Sequence, residues 1–201
     1  MNQEEKSLVQ ALHRGDKYAC NDLVEKYSSK IYNVALRLTG HPIEAEEVLQ
    51  ETLINACKGA ETFRGNASLG TWLYRIATNN GLMRLRRKKA TVLSLDDDTK
   101  TGDGEFWPNQ LHDWDWNPET VALDDELRQV MDDAVDRLPD SLRAAFVLRD
   151  LEGLSTKEAA AALNITPSNL KVRLHRARFL LREQLSLYFN DRGKNGGKTV
   201  E

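Results

Sequence analysis

Residues that would mark the chain as secreted, membrane-spanning or catalytic are scarce. Cys20 and Cys57 stand far apart, without metal-ligand spacing. They predict two reduced thiols, not a disulfide framework or a zinc site. His13, His41, His112 and His175 are scattered, and no pair has the spacing of a metal site or a nucleophile–base arrangement. No apolar run approaches the roughly 18 residues that a membrane-spanning helix needs. The opening MNQEEKSLVQ lacks the charged-then-apolar layout of a signal peptide. The expectation is a cytoplasmic protein with no membrane insertion, catalytic site, metal or cofactor.

Charge is abundant and unevenly placed. The net charge of −3 conceals three blocks. Residues 1–90 hold 14 basic and 10 acidic residues, residues 91–140 hold 3 and 15, and residues 141–201 hold 11 and 6. Two cationic ends around an anionic middle do not suit one uniformly solvated domain. Within the middle, TVLSLDDDTKTGDGEFWPNQLHDWDWN shows turn formers and acids but no helical stripe, and reads as a flexible acidic linker. Its aromatics, Phe106, Trp107, Trp114 and Trp116, suit docking on a domain or partner as well as local clustering. The predicted fold is all-α: a helix-bundle domain over 1–90, a linker over 91–118, a helix-turn-helix domain over 119–190 and a disordered tail over 191–201.

The C-terminal signal is local and chemical. Ser155, with Glu158 three residues on, begins a short helix by a capping box. The alanines from Ala159 to Ala162 allow a second helix to approach closely, and Asn164 to Thr166 make the turn. Thr166 then caps, and Pro167 opens, a longer helix. Leu170, Leu174, Ala177, Leu181 and Leu185 recur at spacings of four and three and form its buried stripe. The opposite side is cationic, with no acid before Glu183. Solvated faces usually mix signs, so this one suits a polyanion. A helix-turn-helix places the N-terminal part of its second helix in the DNA major groove. Ser168, Asn169, Lys171, Val172 and His175 are then candidates for base edges or nearby phosphates, and Arg173, Arg176 and Arg178 for phosphates.

Four amphipathic segments precede the linker. Ser7–His13 is short. Asp16 is placed to cap a long helix with the stripe Leu23, Tyr27, Ile31, Val34 and Leu38. Pro42 starts a third helix, where Ile43, Val48, Leu49 and Leu53 offer apolar contacts. Glu44, Glu46, Glu47 and Glu51 crowd its front, leaving a polar face suited to a basic protein partner. The fourth is expected to bury Leu69, Trp72, Leu73, Ile76 and Met83, and ends in Arg84, Arg86, Arg87, Lys88 and Lys89. The loop before it, Phe63, Arg64, Gly65, Asn66, Ala67 and Ser68, joins an aromatic and a cation beside a basic helix, which suits unstacked bases.

Taken together, EAEEVLQETLINA, FRGNASLGTWLYRIATN and LPDSLRAAFVLRDLEGLSTKEAAAALNITPSNLKVRLHRARFLLREQL resemble bacterial sigma factors of the extracytoplasmic-function group. The resemblance implies a non-enzymatic factor that binds core RNA polymerase, directs it to promoters and helps open the duplex. It implies that Glu47, Gln50 and Glu51 meet the β′ clamp helices. It places the Phe63–Ser68 loop and Asn79 at a flipped base of the −10 element. It puts Lys171, Val172, His175 and Arg176 on the −35 element. The β flap and an anti-sigma protein are further expected partners. Three positions depart from the family pattern: Cys57 where an aromatic is frequent, Lys171 where Arg is frequent, and Asn66 in place of a common Asp. Two rival readings are weaker. A ligand-sensing helix-turn-helix regulator leaves the N-terminal loop without a role. A nuclease would need Asp96, Asp97 and Asp98, which are consecutive in the linker, to act as a converging metal site.

Overall fold

The computed structural model describes residues 3–93 and 125–195, which are helical apart from short turns. The expected linker's aromatics and Asp96 to Asp98 lie outside them. The first helix, α1, spans Gln3–His13 and buries Leu8, Val9 and Leu12. Asp16 does not cap the next helix. Its Oδ1 accepts the Tyr18 N–H at 2.9 Å, an Asx turn, and α2 runs Ala19–Thr39. The predicted α2 stripe is buried throughout, Leu23, Ile31, Val34 and Leu38 completely. Gly40 ends α2 at φ 69°, its N–H on the Leu36 carbonyl at 2.8 Å. That left-handed turn favours glycine.

Helix α3, Pro42–Lys58, begins at the predicted proline and buries Ala45, Val48, Thr52 and Ala56. Ile43, expected among the apolar contacts, is 70% exposed. A 3₁₀ turn, Ala60–Thr62, leads to the loop before α4, Leu69–Leu93. Met83 also departs from expectation, at 49% exposed. The stripe on α4 is Leu69, Leu73, Ala77, Gly81 and Leu85, all buried. Its fourth member has no side chain: a Cβ on Gly81 would lie 3.5 Å from Leu38 Cδ1, in ordinary van der Waals contact. A glycine inside a stripe is invisible to apolar periodicity.

The C-terminal half holds α5 (Asp125–Asp136), α6 (Asp140–Phe146) with a π-helical turn over Val147–Leu151, α7 (Thr156–Ala162) and α8 (Pro167–Asn195). Thus α4 enters the expected linker and α8 enters the expected tail. One apolar cluster, with Leu23, Tyr27, Ile31, Phe63, Leu69 and Leu73, fills the N-terminal bundle. A second crosses between the halves: Val34, Leu38 and Tyr74 pack with Ala134, Leu138, Leu142, Phe146, Leu148, Leu170 and Leu174. Burying a residue the size of Leu38 contributes about 1.5–3 kcal/mol.

Polar contacts line the same seam. Glu152 accepts from Tyr74 Oη at 3.1 Å and Arg37 Nη1 at 3.3 Å. Lys89 meets Asp140 at 2.7 Å, and Arg143 donates to the Leu38 carbonyl at 2.9 Å. The Tyr74 hydroxyl is held above its ordinary pKa, first by burial and then by the Glu152 carboxylate. It therefore stays a neutral donor.

The expected free thiols are instead a Cys20–Cys57 disulfide, with Cα atoms 5.9 Å apart. The sequence spacing of 37 held no hint of it, because antiparallel packing of α2 on α3 brings them together. A loop of that length is worth about 4 kcal/mol in the chain-entropy account.

Candidate nucleic-acid and polymerase interfaces

The helix-turn-helix is built by three local devices. Ser155 Oγ accepts the Glu158 N–H at 3.2 Å, and Glu158 Oε2 accepts the Ser155 N–H at 3.0 Å and its hydroxyl at 2.6 Å. These bonds, the hydroxyl's foremost, hold the Glu158 carboxyl below its usual pKa. At the other end of α7, Asn164 adopts φ 54°. Its N–H reaches the Ala161 carbonyl at 3.2 Å and the Ile165 N–H reaches that of Ala160 at 3.0 Å. This is the Schellman pattern, with Asn in the left-handed position usually held by Gly. Thr166 Oγ1 then accepts the Asn169 N–H at 3.2 Å and starts α8.

The depressed Glu158 pKa makes the capping box sensitive to pH. The box's contribution, about 1 kcal/mol, is present above the unfolded carboxylate pKa of about 4.3. It is lost as pH falls through the lower folded value. Urea titrations of Ser155→Ala should show that deficit at pH 7 and a shrinking one below pH ~4. A deficit independent of pH would remove the carboxylate from the account.

The whole predicted α8 stripe is buried, from Leu170 at 0% to Leu185 at 9% exposed. Opposite it, Ser168, Asn169, Lys171, Val172, His175 and Arg176 are exposed. Arg173 is half-buried, its Nε on Asn169 Oδ1 at 2.9 Å, so two candidate DNA contacts are mutually oriented. Arg178 is the exception among the expected phosphate holders: it grips Asp150 with two hydrogen bonds of 2.9 Å. Its partner lies 28 residues away, beyond any helical spacing rule.

The Phe63–Ser68 loop divides into a buried base and an exposed tip. Phe63 is 5% exposed. Its ring lies 5.2 Å from that of Trp72, and its carbonyl meets His13 Nε2 at 3.0 Å. The ring is therefore part of the core and no free stacking platform. Arg64, Gly65 and Asn66 are exposed, and Ala67 and Ser68 partly so. Ser68 Oγ accepts the Thr71 N–H at 3.0 Å, capping α4. Further along α4, Asn79 is exposed.

The acids of α3 are partly engaged within the chain. Glu44 meets Lys88 at 2.7 Å, Glu47 pairs with Arg84, and Glu51 lies 3.8 Å from Arg84. Thus the basic end of α4 serves in part to neutralise α3. The remaining surface has a pattern that sequence reading missed. Ile43 and Ile54, 70% and 52% exposed, flank Glu47 and Gln50 at spacings of four, three and four. That spacing is the seam of a coiled coil. Apolar periodicity counts Ile43 with Val48, Leu49 and Leu53 as an apolar contact, which hides this pattern. No His, Cys, Asp or Glu group suited to a metal occurs among the described residues, and no described helix is long and apolar enough to cross a membrane.

Comparison with known proteins gives two family matches, Sigma-70 region 2 over residues 23–91 and Sigma-70 region 4 over residues 128–181. The ECF RNA polymerase sigma factor SigW of Bacillus subtilis (strain 168) is 35% identical over 180 residues, 90% of this chain and 96% of SigW. Among solved structures, CnrH in complex with the cytosolic domain of CnrY matches at TM-score 0.64 and 21% identity, over 91% of this chain and 97% of that one. The sigma factor RpoE with the anti-sigma factor NepR, from Bartonella quintana, matches at TM-score 0.61 and 23% identity, over 84% and 98%.

Proposed function

Because the chain belongs to the extracytoplasmic-function group of sigma factors, we propose how its surfaces divide the work of that group. The protein is a transcription initiation factor, not an enzyme. It binds core RNA polymerase, directs it to promoters and promotes strand opening. The exposed face of α8, from Ser168 to Arg176, reads the −35 duplex. The exposed tip Arg64–Asn66, with Ala67, Ser68 and Asn79, receives a base of the −10 element. Phe63 holds that loop from beneath. The α3 seam of Ile43, Glu47, Gln50 and Ile54, with Glu51 beside it, docks on the helical β′ clamp, and the C-terminal domain meets the β flap. The protein acts in the cytoplasm and is restrained by an anti-sigma protein, as Bartonella quintana RpoE was solved with one.

The observation that carries this reading is the exposure of Lys171, Val172, His175 and Arg176 above a fully packed stripe on the same helix. In vitro transcription with core polymerase over a promoter library tests it. Start sites should appear that depend on the factor and share −10 and −35 sequences; initiation at the same places without it would overturn the reading. Arg176→Ala should weaken holoenzyme binding across promoter sequences and lower the slope of log affinity against log salt by about 1. Fluorescence anisotropy at several salt concentrations measures both.

The seam gives this function a conformational step. Promoter elements two helical turns apart are separated by roughly 70 Å. A compact body of this length has a radius of gyration of only about 17 Å. The described arrangement therefore does not reach both elements. The 31 residues between Leu93 and Asp125 can extend to roughly 100 Å. The halves separate on polymerase, breaking the Glu152, Asp140 and Arg143 contacts. A polar cleft of about 390 Å³, lined by Lys26, Tyr27, Lys30, Ser68, Tyr74 and Glu152 among others, already opens part of that seam to water.

A further inference from the structure

We propose that Cys20 and Cys57 form a reversible oxidation site for peroxides, with Cys20 as the attacking thiol and Cys57 as the resolving one. Cys20 is the second residue of α2, a helix of 21 residues. The positive end of a helix dipole favours thiolate over thiol. Asp22, the acid of that first turn, is two positions on, and side chains two apart do not face each other. Cys57 has the opposite placement, next to last in α3, where the dipole disfavours thiolate. Both cysteines are partly exposed, so a small oxidant reaches them. Their Cα separation of 5.9 Å lies within the range a disulfide spans without backbone movement.

Oxidation proceeds in two steps. The Cys20 thiolate attacks one oxygen of hydrogen peroxide. The O–O bond breaks, an S–O bond forms and hydroxide leaves, so sulfur is oxidised to sulfenic acid by two electrons. Cys57 sulfur then attacks Cys20 sulfur. The S–S bond forms, the S–O bond breaks, and the departing hydroxide leaves as water with the Cys57 proton. A dithiol reverses the result by exchange.

The bond ties the start of α2 to the end of α3. That end runs through Gly59 into Ala60–Thr62 and the buried base of the DNA loop, Phe63. Oxidation thus fastens the frame that holds the loop. The site does not depend on the role proposed for that loop, since its tests read thiols and heat stability only.

The full-length chain, reduced and freed of dithiol, is exposed to hydrogen peroxide and followed by intact mass and alkylation of residual thiols. The monomer should lose two hydrogens and both alkylatable thiols, and regain them with dithiothreitol. Dimedone should trap sulfenic acid on Cys20 in Cys57→Ser at least tenfold faster than on Cys57 in Cys20→Ser. The oxidised wild type should melt about 5–15 °C above the reduced form, a gap absent from Cys57→Ser. Thiols that survive peroxide, bonds only between chains, or equal melting of the two forms would overturn the site; faster trapping on Cys57 would overturn the assigned order.

Discussion

Arg143→Ala should destabilise the chain by about 3–5 kcal/mol, since each buried carbonyl left without its donor costs about 1–3 kcal/mol. The arginine is 8% exposed. Its guanidinium donates to the carbonyls of Leu38 at 2.9 Å and Leu138 at 3.2 Å, and to that of Asp136. Leu38 belongs to the last turn of α2, Asp136 ends α5, and Leu138 lies in the turn just after it. One side chain thus satisfies carbonyls at two helix ends in opposite halves. The Asp136 carboxylate, 3.9 Å away, is a minor partner. Burial raises its pKa despite the opposing pull of Arg143; the short contacts of the guanidinium are those to the carbonyls. Alanine strands them and leaves a cavity, whereas Arg143→Lys should lose less because an ammonium can still reach one or two. Equilibrium unfolding in urea gives the comparison. A loss under 1 kcal/mol for alanine would show that water replaces the guanidinium without cost.

Phe63→Ala should show a comparable loss, about 3–5 kcal/mol, confined to the N-terminal bundle. The ring is buried beside Trp72, and its removal leaves a hole beneath the loop. Permanganate footprinting should then show a weak bubble for an indirect reason: the loop has lost its support. Two controls separate support from contact. Phe63→Leu should recover most of the stability and most of the opening. Asn66→Ala, at an exposed position, should change stability by less than about 0.5 kcal/mol yet lose thymine reactivity in the −10 region. A fully active, stable Phe63→Ala would place the ring outside the core.

What was legible in the sequence was local. The stripes of α2 and α8, the capping box and the starts at Pro42 and Pro167 each express an interaction within a few residues along one helix. Illegible features arose where distant segments meet. Gly81 faces Leu38 within the buried stripe of α4, where apolar periodicity points to Met83 instead. Arg178 looked available to phosphate until Asp150 came beside it. Phe63 resembled a stacking residue because Trp72 is nine positions on, too far for helical bookkeeping through a loop. The exposed face of α8 was readable because exposure there follows from the stripe opposite. Ile43 and Ile54 were not, because α3 packs through small residues, Ala45, Val48, Thr52 and Ala56.

The seam between the halves has one more consequence. Its closure is unimolecular, so the fraction of chains shut is the same whether the cell holds few copies or many. Engagement with polymerase is bimolecular, and its apparent dissociation constant rises as the competent fraction falls. Occupancy of promoters then requires a larger supply of unoccupied polymerase than a permanently extended factor would need. A mutation that loosens the joint lowers that threshold without altering a single DNA contact.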